Sequence, residues 1–277
     1  MCNQLKVTFF KFRHFLVFYL AVLCMAGLAF WSGFLKMAPL GVKAYEAFGG
    51  ANCDTSLIFI LAVTSSWFLG NDFSTRTIHH EISLGYSRLS VLLVRELPVM
   101  ISGIILHLVF VFFTVFGVVC KNGFEENMFK TQDIFWCLTI VLQVVALQSI
   151  ITMITFICGK ATSAIAASVC FIIVTCNVLR NFLYDTFFEK TVFCFAKNNE
   201  SETLIASSVV AVITLVVVIA LTYLVFRKKE IKLWEGGNDN DVFDYFNINY
   251  CCLFFERKTV FYKEAIKKNS RANEGTG

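Results

Sequence analysis

Proline is nearly absent: the 277 residues contain two, Pro39 and Pro98. Charge is also scarce, at 16% of the chain, where a soluble domain carries about 25%. There is no glycine period, which excludes collagen, and no polar low-complexity tract, which excludes a disordered linker. The net charge of +4 is spread without a dominating basic surface, so a nucleic-acid module is disfavoured and no nucleic-acid partner is expected. Cysteine is not scarce, with 11 residues, but no two are spaced as CxxC, so neither a zinc site nor a redox motif is indicated. Most of them fall inside apolar runs, where a thiol behaves as a small hydrophobe. Cys53, Cys120 and Cys194 lie in or near outward-facing segments and leave room for one bridge.

What the chain has instead is apolar surface: 57% hydrophobic residues, 31 of them Phe, and a mean hydropathy of +0.69. A hydrocarbon core of about 30 Å needs roughly 20 apolar residues in helical form. Six stretches qualify: Phe15–Leu35, Cys53–Gly70, Leu97–Val119, Ile134–Gly159, Thr162–Leu179 and Leu204–Phe226, each without Lys or Arg inside. Strands of a barrel would be near 10 residues and alternating, so the expectation is an all-α membrane protein with six transmembrane helices. In lipid only such helices satisfy every backbone polar group within one segment. The first run is too long for a signal-peptide core, and Leu23 before Cys24 does not suit lipoprotein processing, so the first span is expected to be retained.

Placing the N-terminus in the cytosol puts seventeen Lys and Arg inside and seven outside, though the balance is seven to seven without the long C-terminal tail. The local evidence is firmer: a basic N-terminus, and Arg227, Lys228 and Lys229 abutting the last span. Both termini are therefore expected in the cytosol, in a multi-pass protein of the cell membrane. The chain divides into an N-terminal segment (1–14), a six-span domain (15–230) and a tail (231–277). The tail carries Cys251-Cys252 beside Leu253-Phe254-Phe255 and reads as an interfacial anchor, an acylated segment or a disordered appendage.

The most informative polar stretch runs from Asn71 to Glu96. Asn71 or Asp72 is suited to cap a short amphipathic helix, Ile78 and Ile82 recur at a four-residue interval, and Gly85 is placed to end that helix in the left-handed region. Ser87 is placed to cap a second helix, with Pro98 near the membrane surface. Such an element lies on the inner face of the membrane. The plain alternative is a solvated loop with positive-inside charges.

The order Asp72-Phe73-Ser74, Thr77-Ile78, Gly85, Ser87-Arg88, together with the ending Phe226-Arg227-Lys228-Lys229-Glu230-Ile231, resembles the ABC-2 type transporter permeases, the membrane subunits of ATP-binding-cassette exporters. The resemblance spans roughly residues 5 to 232, and its motifs are those two short pieces. It departs at Arg76, where the family often has Gly, and at Glu230, where it often has Asp. It implies a loop that rests on an ATPase subunit and passes nucleotide-driven closure to the spans, through Asp72, Thr77, His80, Glu81, Gly85, Ser87 and Arg88. It also implies a second permease copy or paralogue as partner, within the lipid bilayer, with ATP and magnesium held on the ATPase and no cofactor in this chain.

No nucleotide-binding machinery is present. Around Gly159-Lys160, Ile154 and Ala161 occupy the positions where a phosphate loop needs Gly and Ser or Thr. His79-His80-Glu81 does not make HExxH, because Leu84 stands four residues beyond His80. Glu125-Glu126 reads as a solvated pair, and Asn199-Glu200-Ser201 as a low-information sequon. Polar residues within the spans are costly: His107, Gln143, Gln148, Thr152, Thr155 and Asn177. Gln148, Thr152 and Thr155 share one helix face and suit either interhelical hydrogen bonding or a substrate path, with packing the simpler reading. His107 reads as a hydrogen-bonded packing residue rather than a proton relay, since no Asp or Glu accompanies it at membrane depth. Ser163, Ala164, Ala167 and Ser168 allow close helix approach, inside the bundle or between permease copies. Alternatives to an exporter subunit are a six-span scaffold without transport activity and a secondary transporter. The latter is disfavoured by the lack of paired acidic residues at membrane depth.

Overall fold

The computed structural model describes residues 2–52, 54, 57–123, 131–175, 192–193, 195 and 201–228, all within the unit Met1–Glu230. Their regular structure is entirely helical, with no strand among the described residues. The helices are α1 (Cys2–Arg13), α2 (Leu16–Trp31), α3 (Ala44–Asn52), α4 (Leu57–Ser74), α5 (Thr77–Ser83), α6 (Arg88–Asn122), α7 (Thr131–Cys158), α8 (Ala161–Val174) and α9 (Ser201–Lys228). A π-helical turn at Ser32–Met37 and a 3₁₀ turn at Ala38–Leu40 prolong α2.

Five helical stretches are long and apolar enough to cross a membrane: Leu16–Leu40, Leu57–Ser74, Arg88–Asn122, Asp133–Cys158 and Glu202–Lys228. That is the make-up of a multi-pass membrane protein. The expected span Thr162–Leu179 is represented by the shorter apolar helix α8, and the residues beyond Thr175 up to Leu179 lie outside the described ones, as do Asn177 and the whole tail.

The helix that Ser87 caps runs into the third span: α6 begins nine residues before Leu97 and carries Arg95 and Glu96 inside it, 1% and 2% exposed. At 1.5 Å per residue, 35 residues make a rod of about 52 Å, well beyond a 30 Å hydrocarbon core. It packs against α1, α2, α3, α4, α5, α7 and α9 and is the axis of the bundle.

Small residues decide which helices meet closely. A Cβ added at Gly117 of α6 would lie 2.7 Å from the Phe30 carbonyl oxygen and 2.9 Å from the Phe34 nitrogen, and one at Gly33 would strike the backbone at Thr114. A Cβ at Gly70 would lie 2.8 Å from that of Ala161, so α4 and α8 touch through the small-residue face of α8. Of Ser163, Ala164, Ala167 and Ser168, the second and last are fully buried inside the bundle, while Ser163 is exposed and Ala167 half-buried. Cys120, Cys24, Cys137, Cys158 and Cys170 are free thiols, while Cys53 and Cys194 lie outside the described residues.

Candidate functional site

At the end of the bundle where α1 and α5 lie, the segment from Asn71 to Arg95 folds into a collar. Asp72 does not cap the next helix: α4 continues through Ser74 and takes Asp72 into its last turn, where it is 5% exposed. The position before α5 is Arg76, which adopts φ 54°, ψ 18°. That left-handed conformation suits glycine. α5 ends as expected at Gly85 (φ 87°). The amide of Tyr86 donates to the Glu81 carbonyl at 3.3 Å and that of Gly85 to the Ile82 carbonyl at 3.0 Å, the paired bonds of a Schellman ending. Ser87 then caps α6, its hydroxyl oxygen accepting from the Ser90 amide at 3.2 Å.

The sequence pattern did not bring Arg95 into this site, although it is the centre of it. Both terminal nitrogens of its guanidinium donate to the two Glu81 carboxylate oxygens at 2.8 Å, and its Nε pairs with Asp72 Oδ2 at 3.0 Å. Lys11 of α1 completes the network, 3.2 Å from Asp72 Oδ1 and 3.3 Å from the Thr77 hydroxyl. Gln4 of α1 reaches Glu81 at 3.4 Å and accepts from the Ser90 hydroxyl at 3.0 Å. Two cations thus balance two carboxylates across α1, α4, α5 and α6. A signal for Arg95 existed: Val91, Leu92, Arg95 and Val99 recur at helical spacing, which places the guanidinium on the buried face.

The same collar grips the end of α9. Arg88 donates to the Phe226 carbonyl at 3.1 Å and to that of Arg227, answering carbonyls that a helix end leaves without partners. Beneath it Phe73, Phe156 and Phe226 pack edge to face, with centroids 5.1 and 5.0 Å apart, against Ile78, Val91 and Leu92. Of the residues singled out in the sequence, Asp72, Thr77, Glu81, Ser87 and Arg88 meet in this collar. His80 and Gly85 face solvent instead. No protein-family model, no curated protein and no solved structure matches the chain.

Farther along, the buried faces of α3, α4, α6 and α7 carry a seam of polar side chains. His107 Nε2 meets Asn52 Oδ1 at 3.2 Å. The Ser65 hydroxyl donates to Gln148 Oε1 at 2.7 Å, and Gln148 lies where a Cβ on Gly103 would be. Thr155 donates to Ser66 at 3.3 Å, and Ser66 pairs with Ser168 at 3.0 Å, joining α7, α4 and α8. Gln143, Gln148, Thr152 and Thr155 are all fully buried. Gln148 and Thr155 of one face thus bond across to α4, while Thr152 leaves its hydroxyl without a partner. The buried Glu96 lies on the same buried face of α6 as His107, three turns away from it. Among the described residues no group of three or more His, Cys, Asp or Glu is arranged to hold a metal ion.

Proposed function

We propose that the chain is the membrane permease subunit of an ATP-driven exporter and works through a separate ATPase subunit that bears on the α5–α6 element. The observation that carries this reading is mechanical. The element that would receive the partner is tied by ion pairs, by Arg88 and by packed rings to α1, α4, α6, α7 and α9, so a push on it is a push on most of the bundle. Around the turn, Leu84, Tyr86 and Leu89 are 63%, 38% and 44% exposed, an apolar patch beside exposed His80 and Ser83. Such a patch rimmed by polar residues suits a protein partner. Glu81, by contrast, is turned inward onto Arg95 and acts within the collar. In this reading two permease copies and two ATPases assemble in the cell membrane, ATP and magnesium stay on the ATPase, and differential contact with the collar in the two nucleotide states moves the spans.

The test is copurification from native membranes with an ATPase carrying a phosphate loop and the ABC signature, for the wild-type chain and for Leu84→Asp and Tyr86→Ala. We expect association and permease-stimulated ATP hydrolysis to fall at least about tenfold, as loss of an apolar anchor implies, with the unfolding midpoint unchanged. Undiminished association of both variants would remove the α5–α6 turn as the docking surface.

A further inference from the structure

The collar balances its charges, and Glu96 is left over. Asp72 and Glu81 are matched by Lys11 and Arg95, whose guanidinium is committed to both carboxylates. Glu96 is 2% exposed, and neither of its carboxylate oxygens makes a directed hydrogen bond. On the facing helix its polar neighbour is Ser149. The Ser149 hydroxyl lies 3.3 Å from the Val145 carbonyl and can turn toward Glu96 instead, serving the carboxylate as a donor and the acid as an acceptor. One turn on, the fully buried Thr152 hydroxyl has no partner.

Among the described residues no other charge compensates Glu96 from the elements packed against α6. On α1 Lys11 is held by Asp72 while Lys6 and Arg13 are exposed, and α2 has no charged residue; Lys36 of the π-turn and Glu46 of α3 are exposed. On α4 and α5 the acids Asp72 and Glu81 belong to the collar, and on α6 itself Arg88 is spent on α9 and His107 is three turns away at Asn52. On α7 Asp133 is engaged by Tyr45 at the opposite end, and nothing charged follows before Lys160. The charged residues of α9, Glu202, Arg227 and Lys228, are exposed at its two ends.

We propose that Glu96, with Ser149 and Thr152 of α7, forms a proton-binding site inside the helix bundle. The carboxylate takes one proton from water to become the acid, and release reverses that step; no other bond changes. The occupied site presents an O–H to the Ser149 oxygen. The emptied site exposes a bare carboxylate to an apolar interior, so release is tied to hydration of this part of the α6–α7 interface. A sodium ion fits less well. The Gln148 oxygen, on the same face of α7, is already taken by Ser65, which leaves its unpartnered NH₂, a donor, rather than a further oxygen ligand. The inference does not rest on the ATPase reading and would hold for a chain driven otherwise.

Infrared spectroscopy of the full-length protein in lipid nanodiscs, recorded against pH, tests it directly. We expect a carboxylic-acid carbonyl band that disappears in Glu96→Gln and persists in Asp72→Asn, while Glu96→Gln, isosteric with the neutral acid, keeps the wild-type unfolding midpoint. Glu96→Asp, with its shorter reach to Ser149, should retain the band at a shifted frequency. Spectra of wild type and Glu96→Gln that coincide at every pH would overturn the proposal. So would loss of the band on adding sodium chloride but not choline chloride, which would make the ligand a metal cation. Dicyclohexylcarbodiimide, which attacks protonated carboxyls in apolar surroundings, gives a second readout: we expect modification of Glu96 at least tenfold above that of Asp72 or Glu81. Preferential modification of the paired acids would count against it.

Discussion

Replacing Arg95 by Met tests the collar at its centre. The wild-type guanidinium is 1% exposed and makes contacts of 2.8, 2.8 and 3.0 Å with two carboxylates that are themselves largely buried. Met fills similar space without charge, so Asp72 and Glu81 remain with Lys11 alone, which is 38% exposed and reaches only Asp72. Breaking a buried pair by removing one partner costs about 3–5 kcal/mol. Two carboxylates that shared a guanidinium stand on the order of 6 Å apart, and at an effective dielectric near 20 their repulsion is about 3 kcal/mol, most of that cost. Adding Glu81→Gln to Arg95→Met removes the stranded charge and should recover about 2 kcal/mol, a coupling in the range expected for residues in contact. The assay is reversible equilibrium unfolding in mixed micelles across the four-member cycle. If the two substitutions add to within about 0.5 kcal/mol, or Arg95→Met costs less than about 1 kcal/mol, the collar is not the interlocked unit argued above.

Three further outcomes follow from the same geometry. Gly117→Val should destabilise by about 1–3 kcal/mol in the same assay, because the added carbons meet the Phe30 carbonyl and the Phe34 nitrogen rather than a movable side chain. Ser87→Ala should cost about 1 kcal/mol through loss of the α6 cap, with Ser87→Asp close to wild type. Arg76→Gly should relieve the left-handed backbone, worth about 1 kcal/mol, and Arg76→Val should be the worst of a position-76 series ranked by melting temperature.

The sequence made the helices legible because runs of apolar residues on the scale of a bilayer admit few other structures. It also made the local punctuation legible: Gly85 and Ser87 behave as their chemistry requires, since a left-handed ending and an N-cap are decided within four residues. The Ser87 cap marks the beginning of α6, but the burial of Arg95 and Glu96 was not legible, because it depends on partners 14 and 23 positions away or on a facing helix. Asp72 was misread for a related reason. An Asp before a polar turn looks like a cap, and only the ion pairs with Lys11 and Arg95 explain why it stays helical and buried. The π-turn at Ser32–Met37 had no signal beyond Gly33, which the contact with Thr114 now explains.

The length of α6 gives the protein leverage. As a rod of about 52 Å gripped by the collar at one end, it turns a tilt of about 10° into about 9 Å of travel at the other. The grip comes from two carboxylates on one guanidinium, a joint that either holds its geometry or lets go, rather than stretching. Pro98, three residues beyond Arg95, removes one backbone hydrogen bond from the rod and makes that point beside the collar a place where it can bend. Near its far end it touches α2 backbone to backbone at Gly33 and Gly117, so the neighbouring helix has little play in which to absorb the movement. A force of a few ångströms of stroke at the α5–α6 turn would therefore arrive on the opposite side of the bundle as a rearrangement, and the least tolerant positions along the way should be the glycines rather than the charges.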